Sequence, residues 1–231
     1  MSGWSVLKIP AFTCRHSGDG HLQLKWVMFT MNYKKYQNAR DSAWNVLIEC
    51  GISELPVRTS EICRHYNWVL SDYAAGKRSI ALLGLEQLKE KTDGFCAVTE
   101  NHVYIFYDSS LPMGRQRFTI AHEIGHLVLG HVGNGMATVE NREPSGTERA
   151  EERQANQFAA RLLAPACVLH ELGATTKEEI QRLCGISGQA AQFRAERMQE
   201  LERRGRYYTS RLERQVARQF QSYIDVVRGR G

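Results

Sequence analysis

No apolar run in the 231 residues approaches the roughly 20 needed to cross a bilayer, which argues against a helical membrane span. The opening stretch, "MSGWSVLKIPAFTCRHSGDG", has one lysine, a short apolar patch and an early proline, so it makes a poor secretion signal. The six cysteines (Cys14, Cys50, Cys63, Cys96, Cys167, Cys184) include no CxxC pair. A cysteine-based zinc site is therefore not expected, and free thiols are. There is no internal repeat and no long low-complexity tract. A composition of 42% hydrophobic and 24% charged residues is that of a globular protein, and the expected compartment is the cytoplasm.

Surplus charge is also missing from most of the chain. Residues 202–231 hold eight arginines against Glu202, Glu213 and Asp225, which accounts for the whole net charge of +5. The remainder is balanced, so direct nucleic-acid binding is not expected of it. The tail carries an apolar stripe of Leu212, Val216, Phe220, Tyr223 and Val227 on what reads as one basic amphipathic helix, residues 201–231. Docking on the protein's own core is the simplest use of that stripe, ahead of a membrane or a partner helix.

What is present is a run of ordered elements after a featureless start. Residues 1–31 show no periodicity and read as a weakly ordered extension; Met31 itself looks like a natural domain start. Ala39, Ala43, Val46 and Leu47 recur at helical spacing up to Gly51. A Pro-led link and a short helix capped by Thr59 or Ser60 follow. "GFCAVTENHVYIFYD" reads as two strands, Phe95–Thr99 and Val103–Tyr107, joined by a turn. A helix then runs from Ser110 and Pro112 to about Gly130. "VGNGMATVENREPSGT" reads as loop, Ser145 and Glu148 as a capping box, and Pro165 as the end of the next helix. Thr176 and Glu179 form another capping box, and a further helix starts after Ser187.

The chemistry sits in "FTIAHEIGHLVLGH", Phe118–His131. His122 and His126 are four apart, so on a helix they share a face and two imidazoles can converge on one ion. Glu123 lies about 100° further round, too far to be the obvious third ligand and close enough to reach a water at the ion. Two histidines on an ordinary helix remain the bland alternative until a third ligand is found. "TERAEERQANQFAARLLAP", Thr147–Pro165, offers one. Glu148, Glu152 and Asn156 share a helix face; Glu152 completes a His₂Glu set with one position open, and Asn156 is placed to fix a histidine tautomer. Glu151 is the competitor, about 100° off that face. The opposite stripe, Ala155, Phe158, Ala159 and Leu162, suits packing against the histidine helix, and close approach there accounts for Gly125. His131 is out of register for a third histidine ligand, and reads as a helix-end residue, favoured there when charged.

"RQRFTIAHEIGHLVLGH" followed by "EERQANQFAARLLAP" resembles the ImmA/IrrE-type metallo-endopeptidases, whose signature pairs HExxH with ExxANxFAxxLLxP. The resemblance takes in about residues 35–200, including "ECGISELPV". It implies an α+β fold with a small thermolysin-like zincin core, a short antiparallel sheet and mostly helices, and a metallopeptidase domain over residues 32–200. It also implies a zinc ion on His122, His126 and Glu152, Glu123 as general base, Asn156 behind a ligand histidine, and a helix-turn-helix repressor of a mobile element or stress regulon as protein substrate. The strand before the metal helix, with Val103, Tyr104 and Ile105, is a candidate edge for an extended substrate. The oxyanion partner is open, with His170 and the downstream tyrosines as candidates. The rival reading is a DNA-binding regulator with a structural zinc site, in which Gln189, Gln192, Arg194 and Arg197 lie on the second helix of a helix-turn-helix.

Overall fold

The computed structural model describes residues 7–8, 39–133, 135–137 and 146–229. The expected extension 1–31 therefore lies outside the described residues except for a two-residue strand, β1 (Leu7–Lys8). The fold is mixed α+β. One sheet takes β1, β2 (Val69–Asp72), β3 (Gly94–Val98), β4 (Val103–Tyr107) and β5 (Met136–Ala137) in the order β1-β5-β3-β4-β2.

The hairpin β3–β4 forms as its alternating residues dictate, closed by Thr99, whose N–H and hydroxyl both meet the carbonyl of His102 at 2.9 Å. Alternation splits its side chains between two layers. Cys96 and Ile105 face the main core, whereas Phe95, Ala97 and Phe106 face a smaller one with Ile80, Leu85 and Leu88. Ile80 comes from α3 (Lys77–Leu82), which covers that side of the sheet.

Three expectations are corrected by the sheet. β2 pairs with β4 in parallel, Val69 opposite Tyr104 and Leu70 opposite Ile105, so the sheet is mixed. β4 is consequently an interior strand. Val103, Tyr104 and Ile105 belong to a strand flanked by β3 and β2, and β4 offers no free edge to an extended substrate. The segment read as loop also contains β5, whose Met136 and Ala137 pair with Val98 and Ala97.

α1 (Ala39–Glu49) buries Ala39, Ala43, Val46 and Leu47 and is followed by Gly51 at φ 65°. In α2 (Thr59–His65) Arg58 takes the capping place without a side-chain bond. Neither Thr59 nor Ser60 caps that helix; Thr59 is its first residue and is buried.

The two helices that matter most are α4 (Met113–Leu129) and α5 (Gly146–Leu163), which pack on each other. Ala155, Phe158, Ala159 and Leu162 of α5 are fully buried, as their stripe requires. A Cβ on Gly125 would stand 3.0 Å from Phe158 Cδ1 and 3.3 Å from the Cα and carbonyl oxygen of Ala155. That glycine lets the helices close up. The cap pair Ser145 and Glu148 lies outside the residues whose side chains are described.

α6 (Ala166–Glu171), α7 (Lys177–Cys184) and α8 (Gly188–Arg203) follow. Thr176 and Glu179 form the reciprocal capping box, and Ser187 caps α8 through the N–H of Ala190. The tail is two helices rather than one, α9 (Arg211–Gln219) and α10 (Gln221–Arg228), with Phe220 between them. The break lets Val216, Phe220 and Ile224 all reach the main core. α9 packs on α1 and α6, and Gln219 Nε2 donates to the carbonyls of Leu47 and Ile52 at 2.7 and 2.6 Å. Cys50, Cys63, Cys96, Cys167 and Cys184 are free thiols. No helix among the described residues is long and apolar enough to cross a membrane.

Candidate metal centre

α4 supplies His122 and His126 one turn apart, and α5 supplies Glu152 across the contact that Gly125 permits. The Nε2 atoms of the two histidines are 2.9 Å apart. Glu152 Oε2 is 3.1 Å from His122 Nε2, and its Oε1 is 3.2 Å from His126 Nε2. Donor atoms bound to one zinc ion at about 2.0–2.1 Å in a tetrahedron lie about 3.3 Å apart, so this spacing suits that ion. Two imidazoles and a carboxylate are also the right donor chemistry for it.

Electrostatics point the same way. Burial works against a charge on His122, but Glu152 and Glu123, with Asn156, outweigh it and raise its pKa. Burial alone would raise the pKa of Glu152, yet bonds from His122 and His126 hold it well below the usual carboxylate range. Three electron-rich groups thus converge on one point.

The outer face of each histidine is held. His122 Nδ1 lies 3.1 Å from Asn156 Oδ1. An amide oxygen only accepts, so the proton is on Nδ1 and the Nε2 lone pair is free for a metal. For His126 the partner is one that the sequence did not single out. His126 Nδ1 lies 3.2 Å from His131 Nδ1, and His131 Nε2 lies 3.0 Å from Gln154 Oε1. Gln154 Oε1 accepts from Nε2–H of His131, leaving its Nδ1 to accept from Nδ1–H of His126, so the Nε2 lone pair of His126 also faces the site.

His131 stands at the helix end, as its place in the sequence suggests, but its surroundings disfavour a charge there. Burial, then the neighbouring His126, push its pKa down to about 4. The only signal in the sequence was the adjacent pair Gly130-His131, read there as a register mismatch.

Glu123 is buried, 5% exposed, and opens with the three converging residues onto a cleft of about 840 Å³. Asn156 lines it too; Glu151 does not. His170 is elsewhere, stacked on Tyr207 at 3.8 Å and 3.2 Å from Glu202, so neither it nor that tyrosine lines the cleft as an oxyanion partner. Of the residues named for base reading, Gln189, Arg194 and Arg197 line this cleft.

A family model described as the IrrE N-terminal-like domain, the M78 peptidases, matches residues 75–196. That span is more than half of the chain and contains β3, β4, α4 and α5; "ECGISELPV" and the tail fall outside it. A search of curated proteins finds no match.

Proposed function

We infer that this chain is a metal-dependent peptidase, because it belongs to the IrrE N-terminal-like family of M78 peptidases. Its own residues support a narrower reading: a zinc endopeptidase that hydrolyses a peptide bond in a protein substrate. The observation that carries it is the convergence of His122 Nε2, His126 Nε2 and the Glu152 carboxylate within 2.9–3.2 Å of one another, beside the buried Glu123.

In this reading His122, His126 and Glu152 hold the ion. Zinc there supplies a Lewis acid for the scissile carbonyl and makes water more acidic. Glu123 takes the proton of the attacking water and delivers it to the leaving amine, a transfer typically worth about 10²–10⁴-fold in rate. Asn156 and His131 keep the two imidazoles in the tautomer that turns Nε2 inward. Phe118, Ala160 and Phe193 give the cleft apolar wall against which a peptide can lie. By the family resemblance the substrate is a helix-turn-helix repressor, and the free thiols suit a cytoplasmic setting.

The test is the zinc content of the purified chain beside Glu152→Ala, followed by Glu123→Gln against candidate repressors. One zinc per chain, weakened by Glu152→Ala, with cleavage lost but zinc kept in Glu123→Gln, is the expected result. A wild-type chain that holds no zinc after reconstitution overturns the reading.

A further inference from the structure

The cleft does not end at the metal ligands. It continues along α5 past Gln157, Ala160 and Arg161, and its facing wall is α8, with Phe193, Arg194 and Arg197. This arm has three guanidinium groups and no carboxylate in its walls. The acids that do line the cleft belong to its other parts: Asp93 pairs with Arg115 at 2.5 Å, Glu152 lies between the two histidines, and Glu123 directly follows His122 on α4.

Carboxylates outside the arm do not serve it either. Asp41 is near enough to act on Arg161, but its oxygen is bonded to Arg40 at 2.9 Å. Glu200 feels Arg197, but it is paired with Arg203 and Arg204. Glu196 accepts from Gln192 at 2.9 Å. Among the described residues no acid forms an ion pair with Arg161, Arg194 or Arg197.

Arg194 is the most informative of the three. Its Nη2 donates to the carbonyl of Ala160 at 3.3 Å and to that of Ala164, near the end of α5. Its Nε–H is buried without a partner. Arg161 reaches its own helix, through Gln157, at 3.3 and 3.5 Å. Burial and then the neighbouring positive charges lower the pKa of both; that of Arg194 falls to about 10. A cluster of like charges, part withdrawn from water and with no counter-ion, is stabilised by an anion that enters the cleft. Guanidinium groups bind carboxylates with two parallel hydrogen bonds, a geometry that a lysine cannot match.

Resting on the peptidase reading, we propose that this arm is a substrate subsite for a carboxylate side chain, so that the protein selects peptides with Asp or Glu near the scissile bond. Arg161 and Arg197 face the carboxylate, and Arg194 adds its positive charge to the same wall. Phe193, 63% exposed on the same wall, covers the apolar part of the peptide. The sequence offered Arg194 and Arg197 for base contacts only under the rival reading; the cleft gives them a peptide instead.

The experiment uses the full chain reconstituted with zinc, and capped tripeptide hydroxamates whose head anchors on the metal. Glu occupies each of the three positions in turn, and Gln replaces it in the controls; binding is read by calorimetry. One Glu probe should bind about tenfold or more tighter than its Gln control, the effect of one charge-assisted contact. Arg161→Gln combined with Arg197→Gln should erase that preference while zinc content and the affinity of the Gln probe stay as they were. Arg194 is left intact, because it also holds the end of α5.

Equal affinity for Glu and Gln probes on a zinc-loaded chain overturns the subsite and leaves the peptidase reading standing. A further Gln probe, made with a free terminal carboxylate in place of the cap, that binds as tightly as the Glu probe overturns the side-chain assignment. A chain that takes up no zinc removes the peptidase reading, and the subsite falls with it.

Discussion

The imidazole of His131 turns back over the end of its own helix and sets its Nδ1 3.2 Å from Nδ1 of His126. Gly130 makes the turn. At φ 77° it sends the chain back so that the N–H of His131 reaches the carbonyl of His126 at 2.9 Å, and its own N–H that of Leu127 at 3.3 Å. This pair of bonds is a Schellman ending, for which glycine is favoured at the left-handed position. The helix stop and the support of a candidate metal ligand are thus one device.

His131→Ala should lower zinc affinity by about 10–100-fold, the usual effect of removing the partner behind a ligand histidine. Competition with a chromogenic chelator measures it. Gln154→Leu should give a smaller loss in the same direction, because it frees the outer end of the relay without removing the inner one. Unchanged affinity in His131→Ala would show that the contact does not orient His126.

How far the site could be read in advance depended on whether its residues share one helix. His122, His126 and Glu123 lie within one short run, and helix geometry alone fixes their directions. Glu152 and Asn156 were legible because α5 repeats the same period and carries an apolar face for α4. Gly125 pointed to the close contact that joins them. The contact of His131 with His126 was not legible, because it depends on how the chain leaves the helix, and a spacing rule says nothing about that. β2 was missed because four residues, "VLSD", are too few to show alternation, and its parallel pairing joins segments more than thirty residues apart. The edge assigned to Val103, Tyr104 and Ile105 failed with it. The arginine arm was invisible for a similar reason, since α5 and α8 meet only in three dimensions.

Phe220 joins the tail to the core. It is fully buried between α9 and α10, within the cluster that includes Val216 and Ile224. Phe220→Ala should cost about 3–5 kcal/mol of stability, the range for a large aromatic truncated in a packed interior. Urea unfolding of the zinc-free chain measures this. A change below about 1 kcal/mol would mean that the tail is not part of the folded core. The lost packing should reach the site indirectly, because α9 lies on α1, and α1 on α4 and α5.

The pH dependence of the zinc-free protein should reveal the neutral His131. Its pKa falls from 6.5 to about 4 on folding, through burial and the nearby His126. Between those values the unfolded chain binds a proton there that the folded chain does not. Stability therefore drops as pH falls from 6.5 towards 4 and levels off below. His122 behaves oppositely. Its raised pKa means that the folded chain holds the extra proton above 6.5, so its contribution is full below that pH and is lost as pH rises through the folded value. Glu152, depressed below the usual carboxylate range, stays charged in the folded chain while the unfolded carboxyl takes up a proton around 4.5, so it adds its own loss of stability below about pH 5. The bare protein should thus lose stability on both sides of about pH 6.5 through these groups. Replacing His131 by Gln, which does not titrate, should flatten the limb between pH 6.5 and about 5 and leave in place both the alkaline side and the Glu152 loss below it. Urea midpoints of the two proteins, followed from neutral pH to about pH 4, decide it. Parallel acid limbs would mean that His131 takes up its proton without leaving the fold, and that its bond to His126 does not hold it neutral.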